Sequence, residues 1–127
     1  MKYLLDTHAL IWFSENDSQL PERVKLLIEN YNNEFYISIA TLWEMSIKIS
    51  KGSLIINKTF DEIIKIIFSN GFLFLPITFH HTRELLTLPV IHKDPFDRML
   101  ITQTLYENMT IISKEDLFDN YKVNRFW

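Results

Sequence analysis

The sequence predicts an α/β fold, a three-layer sandwich with helices on both faces of a mostly parallel central sheet. Short apolar runs of strand length alternate with amphipathic stretches of helical period along the whole chain, the pattern of repeated strand–helix–strand units. The 127 residues suit one domain and are too few for two ordinary ones. Glycine and proline are sparse, two and four residues, and no repeat or low-complexity segment interrupts the pattern. One domain over residues 1–127 is expected.

Residues 2–5 read as the first strand, followed by a helix over 7–13. Pro21 suits the first turn of the next helix, 21–31, with Val24, Leu27 and Ile28 on one face. Residues 35–37 form a second strand and feed a helix over about 40–50, closed by Gly52. Thr59 and Glu62 make a capping box for a helix that ends at Asn70-Gly71. A third strand, 72–75, stops at Pro76, and a helix over 78–86 runs into Pro89. Asp94-Pro95 opens a helix reaching Glu107. A fourth strand over 109–112, a short helix over 114–120 and an edge strand over 123–127 complete the chain.

Composition narrows the chemistry. Nearly half the residues (47%) are hydrophobic, including ten Phe, five Tyr and three Trp, so a sizeable core is available. The absence of cysteine excludes disulfides and thiolate metal sites. Asp6 interrupts the N-terminal apolar run too early for a signal peptide, and no run approaches the roughly 20 residues that span a bilayer. No membrane association and a cytoplasmic location are expected. With 13 Lys and Arg against 16 Asp and Glu, the net charge is −3. Proteins that hold nucleic acid through nonspecific phosphate contacts are normally basic. Here bound divalent cations or a local basic strip would have to attract such a substrate.

Right-handed crossovers gather the carboxyl ends of parallel strands along one edge, where ligands bind in open α/β sheets. Acids follow the strands at that edge. Asp6 comes directly after the first, Glu44 lies just over one turn into the helix after the second, and Glu115 and Asp116 follow the fourth. Asp94 and Asp97 open the helix that precedes the fourth strand. Each acid has a purely structural explanation. Asp6 caps the helix at Thr7, Glu44 pairs at i,i+4 with Lys48, and Asp94-Pro95-Phe96-Asp97 is a helix start with acids at N-cap and N3. Ser113 with Asp116 at N3 has the same form and leaves Glu115 over. Together, however, such carboxylates repel one another and protonate unless a cation neutralises them. Magnesium, with Mn²⁺ as a substitute, matches hard oxygen ligands and supports phosphodiester hydrolysis. Zinc does not, because the four histidines lack paired ligand spacing.

Leu4-Leu5-Asp6-Thr7-His8-Ala9-Leu10-Ile11-Trp12 resembles the opening motif of PIN domains of the VapC-like branch. Ser38 to Lys48 with its Trp43-Glu44 pair, then Gly52 and Leu54, is similar to the second motif. His92-Lys93-Asp94-Pro95-Phe96-Asp97-Arg98, with Gln103 beyond it, resembles the third and most distinctive one. The tail from Ser113 to Tyr121 matches a fourth more loosely, with Ser113-Lys114-Glu115 where the family has Thr, any residue, then Asp. The resemblance covers essentially the whole chain, in order. It implies a PIN-like sandwich and a metal-dependent endoribonuclease, the toxin of a toxin–antitoxin pair, commonly a homodimer held inactive by a small cognate antitoxin. By it, Asp6, Glu44, Asp97 and Glu115 are the catalytic, metal-binding acids, with Asp116 the alternative to Glu115.

Asp94, Lys48, Arg98 and His92 are supporting candidates: Lys48 to neutralise Glu44 or meet RNA phosphate, Arg98 to hold phosphate or an acid, His92 to donate to a carboxylate. Trp12, Trp43 and Trp127 read as core or dimer contacts rather than base-stacking platforms, and His80 and His81 as ordinary helix residues. The chemistry expected is in-line hydrolysis of RNA leaving 5′-phosphate and 3′-hydroxyl ends, without a serine or histidine nucleophile. A housekeeping RNA-processing nuclease and a non-catalytic interaction domain are alternatives on the same fold. An aspartyl-phosphate enzyme is disfavoured, since it would want Asp-x-Asp where Asp6-Thr7-His8 stands.

Overall fold

The structure, a computed structural model, describes residues 1–127. Its strands are β1 (Lys2–Leu5), β2 (Glu34–Ser38), β3 (Leu73–Leu75), β4 (Thr110–Ile112) and β5 (Asn124–Phe126). They form one sheet in the order β3-β2-β1-β4-β5, and every pairing is parallel, the last edge strand included. Six helices cover it: α1 (Thr7–Ser14), α2 (Glu22–Ile28), α3 (Ile39–Ser50), α4 (Phe60–Ser69), α5 (Phe79–Leu85) and α6 (Pro95–Tyr106).

The pleat separates two cores. Tyr3 and Leu5 of β1, with Phe35 and Ile37 of β2, face a core completed by Leu10, Val24, Ile28, Met45, Ile63 and Ile67. Leu4 and Ile111 point the other way, onto Met99, Leu100 and Ile101 of α6 and onto Phe118. This alternation is why the strands read as continuous apolar runs: both faces of a parallel sheet are covered. Helix α3 serves both sides, giving Met45 to one core and Ala40 to the other.

Local signals place the helix ends. Thr59 and Glu62 form the expected capping box of α4, and Gly71 follows with φ +71°. Asp94 caps α6 by accepting from the Asp97 amide, with Pro95 in the first turn. Two segments differ from the sequence reading. Helix α2 ends at Ile28 instead of 31, and Pro21 is its N-cap residue, without a side-chain cap. The short helix over 114–120 is a 3₁₀ turn, Asp116–Asn120, capped by Glu115, which accepts from the Leu117 amide. Ser113 instead accepts from the Glu115 amide, so Glu115 does the capping assigned to Ser113.

The strand order fixes the active edge. From β1 the chain steps to β2 and β3, then crosses back to β4 on the other side of β1. The crevice beyond the carboxyl ends of β1 and β4 is therefore the switch point of the sheet. Asp6 emerges from one strand there and Ser113 from the other.

Candidate active site

Asp6 is held at the end of β1 by its own amide, which donates to Ile112 O at 3.1 Å. Its side chain caps α1, accepting from the Ala9 amide at 2.8 Å. Burial pushes this carboxyl upward from the usual range, against the opposing pull of Ser113, the Ala9 amide and His8. The carboxyl that caps α1 thus lies at the switch point of the sheet.

Glu44 is buried on the second turn of α3, a helix capped by Ser38 at the end of β2. Both of its oxygens are engaged. Thr7 Oγ1 donates to Oε1 at 2.6 Å and stands 3.3 Å from Thr41 Oγ1. Lys48 Nζ donates to Oε2 at 2.5 Å, and this bond holds the ammonium above its usual range, helped by the charges of Asp94 and Asp97. The i,i+4 pair read from the sequence exists, but it points inward, into the crevice. Trp43, read as a core or dimer contact, is no core residue: it is 58% exposed and meets Phe96 edge-on at 5.2 Å.

Asp97 sits in the first turn of α6, with His92 Nε2 2.9 Å from its Oδ2. The approach is off the hydrogen-bond direction, so that nitrogen is buried without a hydrogen-bonded partner. Nδ1 of the same ring accepts from the Asp94 amide at 3.2 Å, which assigns the ring proton to Nε2, on the side of Asp97. The loop carrying His92 is pinned from two sides. Tyr121 Oη accepts from the Ile91 and His92 amides at 3.1 and 2.7 Å and donates to Pro89 O at 2.9 Å. Arg98, considered for a phosphate or acid, spends its guanidinium on the Leu88, Pro89 and His92 carbonyls instead. It positions the loop. Tyr121→Phe should therefore cost about 2 kcal/mol, since two amides lose their acceptor. A urea midpoint unchanged from wild type, with undiminished exchange protection at residues 91 and 92, would show that the hydroxyl does not hold the loop.

Asp6, Thr7, His8, Glu44, Lys48, Asp94, Asp97 and Glu115 line one pocket of about 200 Å³, with no hydrophobic residue among them. Asp116 stands outside it, in an adjoining cleft of about 400 Å³ shared with Asp6, His8, Trp12, Lys114 and Glu115. Glu115 borders both. A larger cavity, about 470 Å³, lies apart from the acids, around Leu88, Thr102 and Leu105.

Five carboxylates face one ammonium across the smaller pocket. The Asp97 carboxyl is raised to about 7, by burial first, then by Asp94, Glu44, Asp6 and Glu115. Such a site is short of positive charge. No three of its acids or histidines are arranged as a direct ligand cage. The donors are all hard oxygens, however, and the space admits several waters at about 30 Å³ each. That suits magnesium, which keeps much of its hydration and takes few direct carboxylates.

Sequence reasoning missed Thr7 and Thr41, which meet beside the Glu44 carboxyl, and read Ser113 as a cap and not as a partner of Asp6, because nothing in their spacing ties them to the acids. It also missed the depth of His81. This side chain is fully buried, accepts from the Thr78 amide through Nδ1, and meets Glu107 at 2.7 Å through Nε2. Only the fold supplies those partners.

A model of the PIN domain family matches residues 3–124. No curated protein matches the sequence significantly. Among solved structures, VapBC2 from Rickettsia felis bound to a DNA fragment from its promoter includes a chain similar to this one, with TM-score 0.73 and 18% identity over 99% of this chain and 98% of that one. DNA-bound VapBC from Salmonella typhimurium gives 0.68 and 17% over 99% and 97%. VapBC-1 from nontypeable Haemophilus influenzae gives 0.64 and 18% over 99% and 97%.

Proposed function

Because this chain belongs to the PIN domain family, we propose that it is a metal-dependent endoribonuclease and the toxin of a toxin–antitoxin pair. The observation that carries the reading is the convergence of Asp6, Glu44, Asp97 and Glu115 on a single polar pocket at the switch point of the sheet. The structural relatives come from VapBC complexes, which supports a small antitoxin as the partner. A homodimer is part of the same reading. Exposed apolar side chains, among them Trp43, Leu86 and Val90, leave surface available for these assemblies.

Asp6, Glu44, Asp97 and Glu115 would hold Mg²⁺ or Mn²⁺, partly through water. The ion, when bound, polarises the phosphodiester and lowers the cost of forming a hydroxide nucleophile. The chain's own residues arrange the rest. Thr7 and Lys48 fix the two oxygens of Glu44, while His92 stands against one oxygen of Asp97. Asp94 locks the first turn of α6 and adds charge beside Asp97. Lys48, about one-third exposed, offers its ammonium to the phosphate as well as to Glu44.

Purified protein is expected to cut single-stranded RNA with Mg²⁺ or Mn²⁺ and to lose that activity in excess EDTA. Equal cleavage in EDTA would falsify the metal-dependent reading. Expression of the chain alone is expected to arrest growth, and Asp6→Asn to relieve the arrest. Normal growth with an active nuclease would move the protein to a housekeeping role in RNA processing.

A further inference from the structure

A pocket walled by five carboxylates repels a polyanion, and the whole chain carries a net charge of −3. A strand placed across those acids needs a second hold close by, one that does not rest on bulk charge. The adjoining cleft has the chemistry for it. It shares Asp6, His8 and Glu115 with the acid pocket and adds Trp12, Lys114 and Asp116.

Trp12 lies four residues after His8 on α1, so the two share a helix face, with ring centroids 5.4 Å apart and a 40° tilt. Trp127 backs the indole at 5.8 Å, and Lys114 Nζ stands 5.9 Å from the ring centroid, over its face. Trp12 is only partly buried against the core, so its π surface remains part of the cleft wall. His8 and Lys114 are both exposed. The indole thus has Trp127 against it, a partly exposed surface and an exposed cation over its face.

We propose that Trp12, with His8 and Lys114, seats one nucleotide of single-stranded RNA beside the scissile phosphate. The base stacks on the indole, and Lys114 turns from the ring to the neighbouring phosphate. This rests on the nucleolytic reading and deepens it, by naming where the strand is gripped. It also revises the assignment of Trp12 as a core or dimer contact. Stacking is tolerant of base identity, since every base has a π face, so the seat fixes register rather than sequence. A cleft of about 400 Å³ has room for one nucleotide. A base that stacks on the indole must be unpaired, so the substrate is single-stranded.

The test is equilibrium binding of a short fluorescein-labelled single-stranded RNA, read by fluorescence anisotropy in Ca²⁺, with a single abasic residue moved through the strand. In wild type, one abasic position should weaken binding roughly tenfold, and Trp12→Leu should weaken the intact strand by about as much. The two losses should not add, because both remove the same contact. Lys114→Gln, at an exposed position, should weaken binding and flatten its salt dependence by about one phosphate contact. Several results would overturn the proposal. One is a flat abasic scan with RNA still bound and cut, which condemns the seat and leaves the nuclease standing. An abasic penalty undiminished in Trp12→Leu, or a salt slope unmoved in Lys114→Gln, has the same meaning. RNA that does not bind wild type at all removes the seat and the ribonuclease together.

Discussion

Asp97→Asn is expected to abolish RNA cleavage and, at the same time, to make the metal-free protein more stable. The loss of activity should be roughly a hundredfold or more, beyond the 10- to 100-fold typical of partners one step removed from a metal. The gain in stability has a separate origin. Burial and four neighbouring carboxylates raise Asp97 from 3.8 to about 7, so the folded state binds its proton more tightly than the unfolded chain does. The favourable contribution of this group is full below about pH 4 and is lost as pH rises through about 7. Asp6, also raised by burial, acts in the same direction.

At pH 8 wild type carries the whole penalty and Asp97→Asn does not. The shift is worth about 4 kcal/mol at 1.36 kcal/mol per pK unit. Water around a side chain 27% exposed, and the altered contact with His92, reduce the expected gain to about 2 kcal/mol. For a domain of this size that is about 6 °C in Tm. Mn²⁺ should stabilise wild type at pH 8, and Asp97→Asn much less. Thermal melts from pH 5 to 8, with and without Mn²⁺, read all of this. A variant that melts below wild type at pH 8 would show that Asp97 is not under charge strain.

Gln103→Ala is expected to be the most destabilising of these changes, by about 3 kcal/mol or about 10 °C. The side chain is fully buried on α6. Its Oε1 accepts from Ser38 Oγ at 2.6 Å, and its Nε2 donates to Pro76 O at 3.3 Å. Ser38 in turn caps α3 through the Ala40 amide. One amide therefore ties the helix carrying Asp97 to the start of the helix carrying Glu44. Its removal leaves the buried Ser38 hydroxyl and the part-buried Pro76 carbonyl short of partners and opens a cavity between the helices. Gln103→Glu keeps the Ser38 contact but sets an acceptor against the Pro76 carbonyl, so it should also be less stable than wild type. An Ala variant that melts with wild type would show that the amide is dispensable to helix placement.

How much of this was legible depends on the range of the interaction involved. The capping box at Thr59 and the Asp94-Pro95 start are complete within a few residues, and both stand where the sequence puts them. The strands are legible for a related reason: a parallel strand covered on both faces must be apolar throughout, whatever it packs against. The 3₁₀ turn over Asp116–Asn120 was misread because Ser113 and Glu115 both carry a side-chain oxygen able to take a nearby amide, and spacing does not rank them. Arg98 shows the same limit. Its charge suggested a phosphate, but the nearest acceptors are backbone carbonyls of its own preceding loop.

By itself, then, the sequence determined the fold class, the sites of helix initiation and the presence of acids after the strands, because alternation and capping act over a few residues. Tertiary structure alone decided which acids share a pocket, that Lys48 turns inward with Glu44, and that Trp43 lies open while Trp12 lines a cleft. The partners in those arrangements are separated by 37 residues for Thr7 and Glu44 and by 65 for Ser38 and Gln103. Their meeting is set by the crossover from β3 to β4 and the packing of α3 against α6, and no local pattern of residues encodes either.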